Sequence, residues 1–258
     1  MQALSGGADR IDRDALPPGC VLCNVRGHER TMAEWVLMAM LALHRRLLSY
    51  DRDLRDGIWR REDRLPKDLG EGTLAVIGLG AIGERVAEVV RCLGMRTIGV
   101  TRAPTPERAV AAGLGRLAAL GELPSVLAEA DVAVVCLPLR PETEGLVGIA
   151  ELDALGRDGL LVNVARGAVV DEEALYEALR DGRIAGAALD VWYRYPERGE
   201  ERTLPATQPF WELDNVLMTP HVSGRSESTR RRRWEFVAAQ LRRFAAGEPL
   251  ENVVRNGV

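Results

Sequence analysis

The sequence predicts an α/β protein built on a doubly wound parallel sheet. Short apolar runs recur along the chain, each bounded by turn residues, and helical patterns fall between them. One junction, Leu74–Gly83 (LAVIGLGAIG), passes from apolar run to helix through glycines spaced G-x-G-x-x-G. Leu74, Ala75, Val76 and Ile77 fit a strand buried on both faces. Gly78 allows a tight turn, Gly80 lets the backbone approach a pyrophosphate, and Gly83 lets helix and strand pack closely. Ala81 and Ile82 lie between them in the same candidate dinucleotide site. A helix is expected from Glu84 to Gly94, with Val86, Val89, Val90 and Leu93 on one face. Its N-terminus offers free N–H groups and a positive dipole end to a phosphate.

Ahead of that unit, residues 1–25 read as the end of a strand, a glycine turn and a short helix near Asp12–Leu16. A Pro-Pro-Gly turn and a strand from Cys20 to Val25 complete the stretch. Such a piece is too small to bury a core alone. Thr31–Tyr50 reads as one long helix, with Thr31 as N-cap and Glu34 completing a capping box. Trp35, Val36, Leu37, Met38, Met40, Leu41 and Leu43 make it apolar almost all round, so it is expected to be buried between domains or subunits. Residues 51–70 are charged, hold Pro66, and read as a loop.

Past the glycine turn, strands are expected at Thr97–Val100, Asp131–Leu137, Gly159–Val164, Ile184–Val191 and, last, Asn215–Met218. Helices are expected after Pro106, over Leu120–Glu129, Leu152–Leu155 and Asp171–Asp181, and from Ser226 to Ala246, closed by Gly247.

Composition narrows the function. The chain has 258 residues, 47% hydrophobic and 28% charged, enough for one large domain or two small ones. A net charge of -4 gives no general attraction to nucleic acid or membrane. The run Arg230–Arg233 has Glu227 and Glu235 nearby and reads as a solvated helix face. The first residues, MQALSGGADR, lack the basic and apolar regions of a leader, and the apolar run Met32–Leu43 is too short to span a bilayer. Cys20, Cys23, Cys92 and Cys136 have no disulfide-framework spacing. Cys20-x-x-Cys23 lacks a second pair, so strand packing is expected rather than metal or redox chemistry, in a reducing cytoplasm.

Six motifs in order, NVRGHERTMAEWVL, VIGLGAIG, CLPLRPETEGLVG, LLVNVARGAVVDEEAL, GRIAGAALDVW and NVLMTPHVSG, make the chain resemble the D-isomer-specific 2-hydroxyacid dehydrogenases from Ser5 to Val254. The resemblance implies a Rossmann-type cofactor domain, here residues 67–222, set into a smaller flavodoxin-like substrate domain, with catalysis in the cleft between them. Residues 1–30 would be a remnant of that smaller domain, 31–66 a linking helix and loop, and 223–258 a helix returning to it. Family members carry further substrate-domain elements before the point matching Met1. Their loss is expected to expose Trp234, Phe236 and Val237. The resemblance also implies a homodimer, and the apolar helix from Thr31 suits one.

By the same match Arg166 binds substrate; a guanidinium fork holds a 2-oxo acid's carboxylate and polarises its carbonyl. His221 matches the acid/base that moves a proton at the ketone oxygen. His28 and His44 lack such context. The family places a glutamate five residues after the aspartate of ALDV to pair with the histidine; here that aspartate is Asp190 and the fifth residue is Tyr195. A phenol can orient the ring but carries no charge near neutral pH, so His221 is expected to be less easily protonated than a carboxylate-paired histidine. Glu197 lies near enough in sequence to substitute. Asp190 matches the residue that bonds the nicotinamide carboxamide, with a turn cap as the plain alternative. Pro138, Thr143, Val164, Ala165 and Gly224 match cofactor-lining positions, and Gly6 and Gly7 match the loop that holds the substrate carboxylate.

Cofactor choice rests on the second strand's end. An NAD site wants a carboxylate there for the ribose 2′-hydroxyl. Thr101 and Arg102 stand instead and suit a 2′-phosphate, unless Arg102 is only a solvated loop residue. NADP is therefore expected, with NAD as the alternative. The function expected is an NADP-dependent oxidoreductase of small 2-oxo and 2-hydroxy acids. A dinucleotide-binding protein without turnover, and a dehydrogenase of formate or phosphite, are the competing readings.

Overall fold

The computed structural model describes residues 1–9, 11–59 and 67–255. The chain forms two compact units: Met1–Met32 with the chain from Gly224 on, and Ala33–Ser223. In order, the elements are β1 (Leu22–Cys23), α1 (Glu29–His44), α2 (Leu47–Arg55), β2 (Thr73–Ile77), α3 (Ala81–Arg91), β3 (Arg96–Thr101), α4 (Pro106–Ala111), β4 (Arg116–Ala119) and α5 (Leu123–Leu127). Then come β5 (Val132–Val135), α6 (Ile149–Leu155), β6 (Leu160–Asn163), α7 (Glu172–Arg180), β7 (Gly186–Leu189), β8 (Val216–Met218), α8 (Glu227–Ala246) and β9 (Val253–Arg255).

The larger unit is a seven-stranded, wholly parallel sheet in the order β4-β3-β2-β5-β6-β7-β8. This is the doubly wound α/β fold that the alternating pattern predicts. Strands β2, β5, β6 and β7 are buried at every residue, as a sheet with helices on both faces requires. The strand order reverses between β2 and β5, where parallel α/β sheets bind ligands at their carboxyl edge. Ile77, Ile98, Val135, Leu161, Leu175 and Phe210 lie in one fully buried core.

In the smaller unit the described ladder is antiparallel, β1 with β9, joined by a parallel bridge from Gln2 to Cys23. The strand expected over Cys20–Val25 thus shrinks to two ladder residues, and β9, after α8, is a further strand. The helix expected near Asp12 is a turn, because Asp12 Oδ1 accepts the N–H groups of Asp14 (3.0 Å) and Ala15 (3.3 Å) in competition with a helical ladder.

The single helix expected from Thr31 to Tyr50 is two. It breaks at Arg46, which adopts the left-handed conformation (φ 51°) between α1 and α2. Thr31 is not the N-cap: α1 starts two residues earlier, and Thr31 Oγ1 instead lies 2.9 Å from Thr229 Oγ1 and 3.1 Å from Ser226 Oγ. Nor is α1 covered all round, since Met38 and Leu41 are exposed. Residues 51–55, expected as loop, belong to α2, while Pro66 lies outside the described residues.

Three further expectations change. Leu93 falls in the turn after α3 and is exposed. The helical stretch Leu120–Glu129 is a 3-10 turn followed by α5 and stops at Leu127. On α8, which Ser226 caps and Gly247 closes as expected, Trp234 is exposed but Val237 is buried, and Leu241 and Phe244 are the other open apolar residues.

Candidate active site

The site residues of the larger unit collect along one edge of the sheet because each follows the carboxyl end of a parallel strand. Gly78 follows β2, Thr101 ends β3, Pro138 follows β5, Arg166 follows β6, Asp190 follows β7 and His221 follows β8. The smaller unit holds Gly6, Gly7 and Gly224.

The glycine turn is built as its spacing demands. Gly78 has a φ of 103°, and a Cβ there would lie 2.6 Å from the backbone nitrogen of Leu137. At Gly83 a Cβ would lie 2.2 Å from the Gly78 carbonyl oxygen, so only hydrogen lets α3 close on β2. Gly80, the N-cap of α3, would meet nothing within 4 Å. The open side of Gly80 and the eleven-residue helix it starts fit a pyrophosphate, whose oxygens would take the first-turn N–H groups.

Beside that turn stands a residue the sequence reading missed. Arg108, on α4, donates to the Thr101 hydroxyl (3.3 Å) and to the Leu79 carbonyl, so it bridges the end of β3 to the glycine turn. The Thr105 hydroxyl caps α4 by accepting the Arg108 N–H, and Pro106 starts it; this cap motif was the available signal. Arg102 is exposed and sits 3.6 Å from Glu142, which also faces Arg140. Thr143 is buried, and its hydroxyl accepts the Arg140 N–H (2.8 Å) and donates to the Pro138 carbonyl (2.9 Å), which folds the loop after β5. Val164 and Ala165 are buried at the end of β6. There Asn163 shapes the turn: its Oδ1 accepts the Ala165 N–H (3.0 Å) and its Nδ2 donates to the Arg166 carbonyl (2.9 Å). The Arg166 guanidinium donates to the Ala165 carbonyl at 2.7 Å.

Asp190 is wholly buried and acts as a clamp. Its Oδ1 accepts from the Thr219 hydroxyl (2.6 Å) and the Val222 N–H (2.7 Å), and its Oδ2 accepts the Ser223 N–H (2.8 Å). These bonds grip both sides of His221, whose φ of 56° is a left-handed conformation that costs about 1–2 kcal/mol. The chain leaving β7 is fixed by aromatic packing. Phe210 meets Tyr176, Trp192 and Tyr193 at centroid distances of 5.6, 6.4 and 6.2 Å, and Trp192 Nε1 donates to the Thr219 carbonyl at 2.8 Å. Burial pushes the Tyr193 phenol well above its ordinary range. That packing brings Tyr195 Oη to 3.0 Å from His221 Nδ1. The Glu197 N–H is bonded to Glu200 Oε2 at 3.0 Å.

In the smaller unit the Gly6 carbonyl accepts from Asn24 Nδ2 at 2.6 Å, and a Cβ on Gly6 would strike the buried His28 ring at 2.6 Å. His44, by contrast, bonds the Lys67 carbonyl at 2.8 Å. Among the described residues, no group of histidine, cysteine and carboxylate side chains could hold a metal, and no helix is long and apolar enough to cross a membrane.

Comparison with known proteins identifies relatives of the fold and the sequence. Residues 37–223 match the family described as D-isomer specific 2-hydroxyacid dehydrogenase, NAD binding domain. The glyoxylate reductase of Aeropyrum pernix is 36% identical, over 98% of this chain and 75% of its own. The chain spans about half the length of other curated relatives it matches: the D-3-phosphoglycerate dehydrogenase of Archaeoglobus fulgidus is 33% identical over 96% of this chain but only 45% of its own. The D-isomer specific 2-hydroxyacid dehydrogenase of Xanthobacter autotrophicus Py2, solved with NADPH and MES, superposes with a TM-score of 0.83 at 34% identity, covering 98% of this chain and 76% of that one. Other matching structures hold NAD. With a Rossmann-type sheet, its glycine turn and a family match across most of its length, the chain belongs to the D-isomer-specific 2-hydroxyacid dehydrogenases and contains their NAD(P)-binding domain.

Proposed function

We propose that the chain is an NADP-dependent reductase of small 2-oxo acids such as glyoxylate or hydroxypyruvate. One observation carries this: the glycine turn, Arg166 and the Tyr195–His221 pair all follow strand ends on the carboxyl edge of one parallel sheet. Gly80, Ala81 and Ile82 present the helix N-terminus to the pyrophosphate, Val164 and Ala165 line the nicotinamide side, and Asp190 is the group to bond its carboxamide. Thr101, Arg102 and Arg108 supply hydroxyl and guanidinium groups where an NAD site would carry a carboxylate, which supports NADP. When bound, the reduced nicotinamide supplies the hydride. Arg166 holds the substrate carboxylate, and His221 delivers a proton to the ketone oxygen. The four free cysteines suit a reducing cytoplasm, and the exposed Met38, Leu41, Leu47 and Leu48 suit a homodimer.

The purified chain is to be assayed for NADPH and NADH oxidation with a panel of 2-oxo acids. Turnover that prefers NADPH is the expected result. NADPH binding by fluorescence without turnover on any acid would replace the reductase with a dinucleotide-binding protein.

A further inference from the structure

The contacts around Tyr195 set the direction of its hydrogen bond to His221. Tyr195 Oη accepts the backbone N–H of Trp192 at 3.2 Å, and Trp192 is itself anchored through Nε1 to Thr219 and against Phe210. A phenol oxygen is conjugated with its ring and offers one good in-plane lone pair alongside its O–H. With that lone pair on Trp192, the O–H is the group that spans the 3.0 Å to His221 Nδ1. Nδ1 then accepts, and the neutral ring carries its proton on Nε2. A carboxylate at the same place would impose the opposite arrangement, because it only accepts and so requires the proton on Nδ1.

We propose that Tyr195 is a positioning residue that fixes His221 as the neutral Nε2–H tautomer and backs it as a proton relay in reduction. The proposal rests on the reductase reading above. As hydride reaches the carbonyl carbon, the ketone oxygen takes the Nε2 proton of His221: that N–H bond breaks and an O–H bond forms. Nδ1 takes the Tyr195 proton in the same movement, so the ring stays neutral and the negative charge rests on Oη, where the Trp192 N–H stabilises it. Solvent then reprotonates Nε2 of the exposed His221 side chain, and Oη recovers its proton from Nδ1.

The test is nitrogen NMR of the full chain carrying labelled histidine, assigned with His221→Asn; the sequence has three histidines. The expected spectrum shows a pyridine-type Nδ1 and a pyrrole-type Nε2 for His221, a tautomer mixture in Tyr195→Phe, and the proton moved to Nδ1 in Tyr195→Glu. Tyr195→Phe should also lower kcat for 2-oxo acid reduction by about a hundredfold, with KM little changed. A pyrrole-type Nδ1 in the unmodified chain, or a His221 spectrum indifferent to Tyr195→Phe, would overturn the proposal. The spectra need neither cofactor nor substrate, so a chain showing the expected tautomer but no turnover would discard the reductase reading alone. If Tyr195→Phe fails to fold, the unmodified spectrum and that of Tyr195→Glu still decide.

Discussion

Asp190 Oδ2 accepts the backbone N–H of Ser223 at 2.8 Å, while its Oδ1 holds Thr219 and Val222. One buried carboxylate thus fixes the turn that presents His221. Asp190→Asn keeps the shape but replaces one acceptor oxygen by a donor, so at least one buried N–H loses its partner in either amide orientation. A loss of about 1–3 kcal/mol is expected, read as a lower urea midpoint at unchanged slope. An unchanged midpoint would show that the clamp contributes nothing to folding.

Gly83 and Gly80 should separate folding from cofactor binding. A methyl at Gly83 would lie 2.2 Å from the Gly78 oxygen and 2.9 Å from Val76 Cγ1, whereas one at Gly80 meets nothing within 4 Å. Gly83→Ala is expected to cost about 1–3 kcal/mol of stability, as overpacking does. Gly80→Ala should keep the thermal midpoint and weaken NADPH binding, measured by fluorescence titration. Equal affinity in Gly80→Ala would place the pyrophosphate elsewhere.

The sheet was legible in the sequence because apolar runs such as Val132–Val135 and Leu160–Asn163 alternate with helical patterns, of which α7 carries a clear cap at Asp171. β4 escaped it: Arg116–Ala119 holds no β-branched residue and lies at the sheet edge, so it carries neither period nor propensity. The break at Arg46 was invisible for a related reason, since arginine is a good helix former and nothing nearby marks a left-handed residue. Within the site, Tyr195 and His221 could be read from motif spacing. The partners of Asp190 and Arg108 could not: those of Asp190 lie 29 to 33 residues away, and Arg108 joins Thr101, 7 residues away, to Leu79, 29 residues away, so only folding brings them together.

The cysteines should differ in reactivity. Burial pushes the Cys136 thiol up to about 12, whereas Cys92 is exposed. Thiolate is the reactive form, so a raised pKa keeps Cys136 protonated and inert at all pH values well below that figure. Iodoacetamide near pH ~8 should label exposed Cys92 in the folded chain well before Cys136, which is half-buried and holds its proton. Peptide mass mapping checks this, and early labelling of Cys136 would contradict the burial.

The exposed leucines predict assembly. Met38 and Leu41 on α1, with Leu47 and Leu48 on α2, leave an apolar surface open on the single chain. Burying each against a second copy is worth up to about 1.5–3 kcal/mol. The paired substitution Leu41→Glu and Leu47→Glu should shift sedimentation from dimer to monomer while the far-ultraviolet dichroism stays constant. Identical sedimentation would move the interface to another surface.

Cofactor choice tests the site most directly. Arg102 directly follows β3 and Arg108 bonds Thr101 at its end, while Glu142 competes for Arg102 at 3.6 Å. A charge-assisted bond to a 2′-phosphate is worth about 1.5–3 kcal/mol, or roughly 10- to 150-fold in affinity. Arg102→Ala should therefore weaken NADPH by at least about tenfold and leave NADH nearly unchanged, while Glu142→Gln should tighten NADPH by freeing the guanidinium. Arg108→Ala should weaken both cofactors, because it also removes the bond that braces the glycine turn at Leu79. Parallel titrations with the two cofactors distinguish these patterns. Unchanged affinity for both NADPH and NADH in Arg102→Ala would show that Arg102 is a solvated loop residue, and NADP selection would then fall to Thr101 and Arg108.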